Sequence, residues 1–182
     1  MKNFELFVND IISQWRKEKN IILESAGLKG PSNREKGDLA EEYVIRRINK
    51  LTPTYNAIKS TGSQTPADIY AVARRNGYWH IMLIQVKSST NKNNIYKLNE
   101  NDKKVLNELG KFINKQIVVS EHMINYRKSK ILISTGHVDV YRNEKTLRHS
   151  LVNAKGFKVF KRNASTLDME KIRGIIALSH KL

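Results

Sequence analysis

The stretch PADIYAVARRNGYWHIMLIQVK, residues 66–87, decides how this chain folds. Asn76-Gly77 divides two β-like runs, Asp68–Arg74 and Trp79–Ser88, and both residues of such a pair accept the positive φ that a two-residue hairpin turn requires. With Asn76 and Gly77 at the centre of the turn, Arg75 faces Tyr78. Counting outward in strict register then brings Asp68 opposite Gln85. Cross-strand partners hold their Cβ atoms about 5 Å apart, and Lys87, two residues on, projects from the same face as Gln85. A carboxylate, an amide and an ammonium are therefore expected to converge at the open end of the hairpin.

Upstream, the spacing of Leu39, Ala40, Val44, Ile48 and Leu51 predicts a helix from about Asn33 to Leu51, stopped by Pro53 and lying against the sheet. At roughly 100° per residue from Val44, the centre of that stripe, Glu41 lies roughly 60° away at its edge and Glu42 roughly 160° away toward solvent. Glu41 is thus the helix residue placed to join the hairpin. Tyr55–Lys59 is a further β-like run. Asn101–Ile113 reads as a helix through Val105, Leu106, Leu109 and Phe112, with Gln116–Val119, Lys130–Ser134 and Gly156–Phe160 as strands. A last helix opens at Ser165-Thr-Leu-Asp168, which has capping-box spacing.

At the other end, Phe4, Val8, Ile11, Ile12, Trp15 and Ile22 mark an amphipathic helix to about Glu24, followed by a turn-rich stretch, residues 26–33. It reads as an appendage that packs on the body or on a second copy. The expected organisation is an N-terminal helix and linker over residues 1–32, a mixed α/β core over 33–140 and a C-terminal α/β extension packed on it over 141–182. No internal repeat interrupts it.

At 182 residues the chain suits one domain. The absence of cysteine removes disulfides, thiolate metal sites and a cysteine nucleophile, and fits a reducing, intracellular compartment. Apolar runs such as Ile81–Ile84 are far short of the roughly 20 residues of a membrane span. The N-terminus lacks the features of a signal peptide. The expectation is a cytoplasmic protein without a membrane partner.

A formal charge of +16 is the strongest compositional signal, because clustered Lys and Arg gain affinity by releasing counterions from a phosphate backbone. Nucleic acid is the natural partner, a solubilising basic surface or an anionic membrane the other readings. Lys155, Lys158, Lys161, Arg162, Lys171 and Arg173 in the tail either hold DNA backbone or form a solvated face.

Two carboxylates, Glu41 and Asp68, with nearby carbonyl oxygens make a hard-oxygen site of the kind Mg²⁺ accepts while keeping waters. Such an ion lowers the pKa of bound water and neutralises charge on a phosphate, and Lys87 adds a point charge or positions the attacking water. Phosphodiester hydrolysis follows from that logic. His80 has the wrong parity to share a face with Gln85, and His137-Val-Asp139 lacks partners for a metal site, so both read as structural or exposed.

The strings Gly37-Asp-Leu-Ala-Glu41, Pro66-Ala-Asp68-Ile-Tyr-Ala and Ile84-Gln-Val-Lys87-Ser-Ser resemble the PD-(D/E)xK nuclease superfamily, and within it the archaeal Holliday junction resolvases and related viral nucleases. The resemblance covers roughly Glu35 to Ser134. It implies a restriction-endonuclease-like α/β/α core around a central mixed sheet, Mg²⁺ with Mn²⁺ as a substitute, a homodimer, and an endonuclease acting on DNA, with branched DNA as the leading substrate class. By position it makes Glu41, Asp68, Gln85 and the Val86 carbonyl the metal ligands and Lys87 the catalytic lysine. Ser63 or Ser60 matches the family's loop serine, and Lys36, Lys59, Ser60 and Ser63 are the expected DNA contacts. Pro66 is separated from Asp68 by one residue, a minor departure. The other is larger: Gln85 stands where the family usually has an acid, which removes a negative charge and lowers the expected affinity for a divalent cation. The competing readings are a weakly active or inactive DNA-binding protein on the same scaffold, and an interaction protein acting through its N-terminal helix.

Overall fold

The structure, a computed structural model, describes residues 2–19, 31–51, 55–60, 65–75, 78–126, 129–155 and 157. The elements run α1 (Lys2–Glu18), α2 (Pro31–Leu51), β1 (Asn56–Lys59), β2 (Ile69–Arg75), β3 (Tyr78–Ser89), α3 (Glu100–Val119), a short 3-10 segment (Glu121–Tyr126), β4 (Lys130–Asn143) and β5 (Arg148–Lys155). The strands form one mixed sheet in the order β1-β2-β3-β4-β5. β3 and β4 are parallel and the other neighbours antiparallel. A parallel pair needs a long crossover, which α3 supplies.

Arg75 pairs with Tyr78 and the ladder runs regularly back to Ile69–Ile84, the register expected from Asn76-Gly77, two residues that themselves lie outside the described set. Alternation along β2 and β3 then sorts the core into two layers. Tyr70, Val72, Ile81 and Leu83 face α1 and α3, whereas Ile69, Ala71, Ala73, Met82 and Ile84 face Ala40, Val44 and Ile48 of α2. Strands covered on both faces are near-continuously apolar, as residues 81–84 are.

The N-terminal helix is no loose appendage. Phe4, Phe7, Val8, Ile11, Ile12 and Trp15 are all buried, in one core cluster with Leu106, Leu109, Ile113 and Ile117 of α3. Truncating a buried aromatic such as Trp15 to alanine therefore removes about 3–5 kcal/mol of stability. The strand expected over Gln116–Val119 is instead the last turn of α3. The β-branched run 117–119 suggests a strand locally, but Ile113 and Ile117 continue the buried stripe, and packing overrides propensity. The N-terminus of α3 is set by Asn99, whose side chain accepts from the Asp102 N–H at 2.7 Å.

The sheet also extends further than expected. β4 is 14 residues long, and β5 pairs with it from Asn143–Arg148 to His137–Lys155. Residues 141–155 thus complete the sheet rather than rest on it as an extension. The strand expected at Gly156–Phe160 and the helix from Ser165 fall outside the described residues, apart from Phe157, which is buried in the α2-side layer.

Candidate functional site

β2 begins at Ile69, whereas β3 continues past the last regular pair to Ser89 against β4. The two strands fork there, and the regular ladder stops one residue short of the expected Asp68–Gln85 pair. Asp68 fills the fork. Its N–H donates to the Ile84 carbonyl at 2.9 Å, and its carbonyl accepts the Ser60 N–H at 2.7 Å. Its Oδ2 accepts the Val86 N–H at 2.6 Å. An amide that has left the ladder needs a partner, and the carboxylate provides it, so Asp68 is held by main chain and side chain together. Thr65 braces the approach: its Oγ1 donates to the Ala67 carbonyl at 2.8 Å and lies 2.6 Å from Ser60 Oγ.

Glu41 reaches the same region from α2, half-buried, while Glu42 is exposed, the division expected from the helix angle. Lys59, at the end of β1, joins them. Its Nζ lies 2.6 Å from Asp38 Oδ1 and 3.2 Å from Glu41 Oε2. The lysine expected to contact DNA is thus engaged with two acids one helical turn apart. Burial opposes its charge, but the bonds to Asp38 and Glu41 outweigh that and hold the ammonium above its ordinary range.

Both carboxylates titrate high. Burial pushes Asp68 up, against the Val86 N–H and the positive charges of Lys87 and Lys59. Burial raises Glu41 as well, and the charge of Asp68 raises it further, against the pull of Lys59. Two partly buried acids, the charge of Asp68 raising Glu41, form a site where an added cation would be stabilised. Lys87 is half-buried on β3 and close enough to Asp68 to act on its charge.

Gln85 lines a cavity of about 430 Å³ with Trp15, Lys19, Thr65, Pro66, Asn101, Asp102, Val105 and Glu108, on the α1–α3 side. Its Oε1 is buried without a hydrogen-bond partner among the described residues. An orphaned amide oxygen is costly to bury, by about 1–3 kcal/mol, and is therefore an available acceptor or ligand. Among the described residues no group of three or more His, Asp and Glu side chains is spaced to hold a metal ion. The donors that the fork brings together are the carboxylates of Glu41 and Asp68, hard oxygens whose chemistry fits Mg²⁺, whereas Gln85 Oε1 lies on the α1–α3 side.

Of the other expected site residues, Ser63 and the Lys36 side chain lie outside the described residues, and Ser60 is buried. His80, expected to be structural or exposed, is buried: Nδ1 meets Tyr55 Oη at 2.5 Å and Nε2 meets Ser134 Oγ at 2.7 Å. His137 and Asp139 are also buried rather than exposed. His137 Nε2 lies 2.8 Å from the Tyr96 carbonyl, and Asn153 donates to Asp139 Oδ2 at 3.2 Å. The residue that sequence reasoning passed over is Asp38. Its signal was there, an acid three positions before Glu41 and so on the same helix face.

Comparisons with protein-family models, with curated proteins and with solved structures returned no match. Among the described residues no helix is long and apolar enough to cross a membrane.

Proposed function

We propose that the chain is a Mg²⁺-dependent DNA endonuclease of the PD-(D/E)xK type, with a restriction-endonuclease-like core and branched DNA as the leading substrate. The observation that carries this reading is the crowding of Glu41 and Asp68, whose carboxyl groups both titrate above their ordinary range at a fork bordered by Lys59 and Lys87. A purely structural acid pair would be relieved within the fold; this one is relieved in part.

Glu41, Asp68 and the Val86 carbonyl would hold the ion, with Gln85 Oε1 as a neutral oxygen ligand in place of an acid. Bound there, the ion would supply charge neutralisation on the scissile phosphate and a water of lowered pKa. The chain's own residues do the rest. The Val86 N–H fixes one Asp68 oxygen, which would leave the other for the ion. Lys59 holds Glu41 from the β1 side and orients its carboxylate. Lys87 presents an ammonium to the charge that builds on the phosphoryl oxygens. The net charge of +16 draws DNA to this surface.

One observation favours the alternative, a DNA-binding protein without catalysis: the Glu41 carboxylate already has a cation, Lys59, at 3.2 Å, and Gln85 adds no charge. Cleavage of end-labelled four-way junction, duplex and single-stranded DNA in Mg²⁺ and in Mn²⁺, with Asp68→Asn as control, separates the two. Metal-dependent cuts lost in the variant support the nuclease; retained binding with no cutting of any substrate supports the alternative.

A further inference from the structure

On the far side of α3 from Gln85 a second cavity, about 420 Å³, opens between Lys97, Leu98, the N-terminal half of α3, residues 135–137 of β4 and Lys155 at the end of β5. That volume lies within the range of small-ligand sites. Three ammonium groups line it. Lys103 is ion-paired with Glu100, whereas Lys97 and Lys155 carry no ion pair among the described residues. Both are exposed, so their charge faces whatever enters.

The rest of the lining is not that of a site for a small ion. Leu98 and Leu106 give it apolar floor, and Gly136 leaves backbone uncovered by a side chain. Asn107 uses its Oδ1 to accept from Thr135 Oγ1 at 2.8 Å, which turns its amide N–H groups to other partners. The His137 ring is fixed by the Tyr96 carbonyl and so forms a rigid wall. Two unpaired cations, an amide donor and an apolar floor suit a ligand with one anionic group and a flat, partly polar body.

We infer that this cavity takes one phosphate-bearing nucleotide, with Lys97 and Lys155 on the phosphate and Leu98, Leu106 and Asn107 against the base. The nucleotide is either free or an unpaired residue of a DNA strand lying across the fork. The second source rests on the nuclease reading: Gly136 and His137 pair with Ile84 and Gln85, so the cavity starts one strand away from the fork, about 4.8 Å. A base can enter it only when unpaired, which makes single-stranded or branched DNA, rather than continuous duplex, the substrate it selects.

The test measures binding apart from cleavage, on the full chain in EDTA. The probes are a fluorescein-labelled ten-nucleotide single strand, a blunt duplex of the same sequence, and 5′-deoxyadenosine monophosphate. The variants are Lys97→Ala with Lys155→Ala, both at exposed positions, and Asn107→Asp, which keeps the acceptor for Thr135 and replaces the amide donor by a negative charge. The expected result is a tenfold or greater loss of single-strand affinity in each variant. In the double variant the salt dependence, log K against log salt, should flatten by about 0.7, the one phosphate contact that the two lysines share. Loss of mononucleotide binding as well supports a free nucleotide as ligand, and loss confined to the strand supports an unpaired residue of DNA. Unchanged affinities, an equal loss on the duplex, or no binding of either single-strand or mononucleotide probe by the wild type would overturn the inference. A wild type that binds through these residues yet cuts nothing would refute the nuclease reading and leave the nucleotide site standing.

Discussion

Two polar clusters are built into the same sheet. In Tyr55–His80–Ser134 an imidazole spans two hydroxyl groups, and each ring nitrogen has a partner. At the fork, Glu41 and Asp68 are both pushed toward protonation by burial, and the Gln85 amide oxygen on the adjoining strand has no partner among the described residues. Buried polar groups are normally satisfied, because an unmet one forfeits its hydration without return. The first cluster obeys that rule by its own residues. The second leaves an oxygen that no described residue meets beside two acids raised by burial, which is why the fork, rather than the better-bonded histidine, is the candidate site.

The comparison is broken most decisively by Asp68→Asn. On the nuclease reading it abolishes cleavage, by about a thousandfold or more, equivalent to the several kcal/mol that a metal contributes to the transition state. The same variant should be more stable than the wild type at neutral pH. Both carboxyl groups have folded pKa values above the ordinary 3.8 and 4.5. Their contribution to stability is therefore complete below pH 3.8 and is lost as pH rises through the raised folded values. Thermal unfolding at pH 3.5 and pH 7 checks this: the gain over wild type should appear at pH 7 and vanish at pH 3.5. A loss of stability at pH 7 would make Asp68 a structural residue.

Lys87→Ala should lower the cleavage rate about 10²–10³-fold with little change in the unfolding midpoint, since an ammonium aimed at developing charge acts in the transition state. Equal losses in rate and fold would assign Lys87 to an ion pair with Asp68 instead. On the other cluster the sign reverses. His80→Ala strands two hydroxyl groups and opens a void, so it should reduce stability by about 2–4 kcal/mol while leaving the rate per folded molecule unchanged.

Metal binding sharpens the contrast further. Mg²⁺ at 100 times its Kd should stabilise the wild type by about 2.7 kcal/mol, and more weakly as pH falls and protons compete for the same oxygens. Gln85→Glu, which restores a third acid, should tighten metal binding about tenfold and destabilise the metal-free protein; calorimetric titration in Mg²⁺ and unfolding in EDTA read the two effects. The smallest effect is expected at Gly37, where an added Cβ would meet nothing within 4 Å. Gly37→Ala should stabilise α2 by about 0.5–1 kcal/mol. If it nonetheless lowers cleavage of DNA, that open space is where the backbone of the substrate passes.

Local rules carried the reading wherever one residue type had one conformational meaning. Asn76-Gly77 set the register of β2 on β3, and the helical angle from Val44 separated Glu41 from Glu42, because hairpin parity and helical angle are properties of the chain itself. Where the meaning depended on packing, the reading failed. Val118 and Val119 end a helix because Ile117 beside them is buried in the core cluster that α3 shares with α1, and β5 went unseen because its mixed side chains become a strand only beside β4.

The candidate site divides in the same way. Its residue types and their order, the acid before the hairpin strand, the glutamine and lysine after it and the helix glutamate upstream, were legible in the sequence alone. That Asp68 caps the Val86 amide, that Lys59 is drawn onto Asp38 and Glu41, and that Gln85 keeps an oxygen unmet among the described residues were decided only by the tertiary structure. These depend on where two strands part and how far the fork is from water, and burial and distance between remote segments are not quantities that sequence spacing contains.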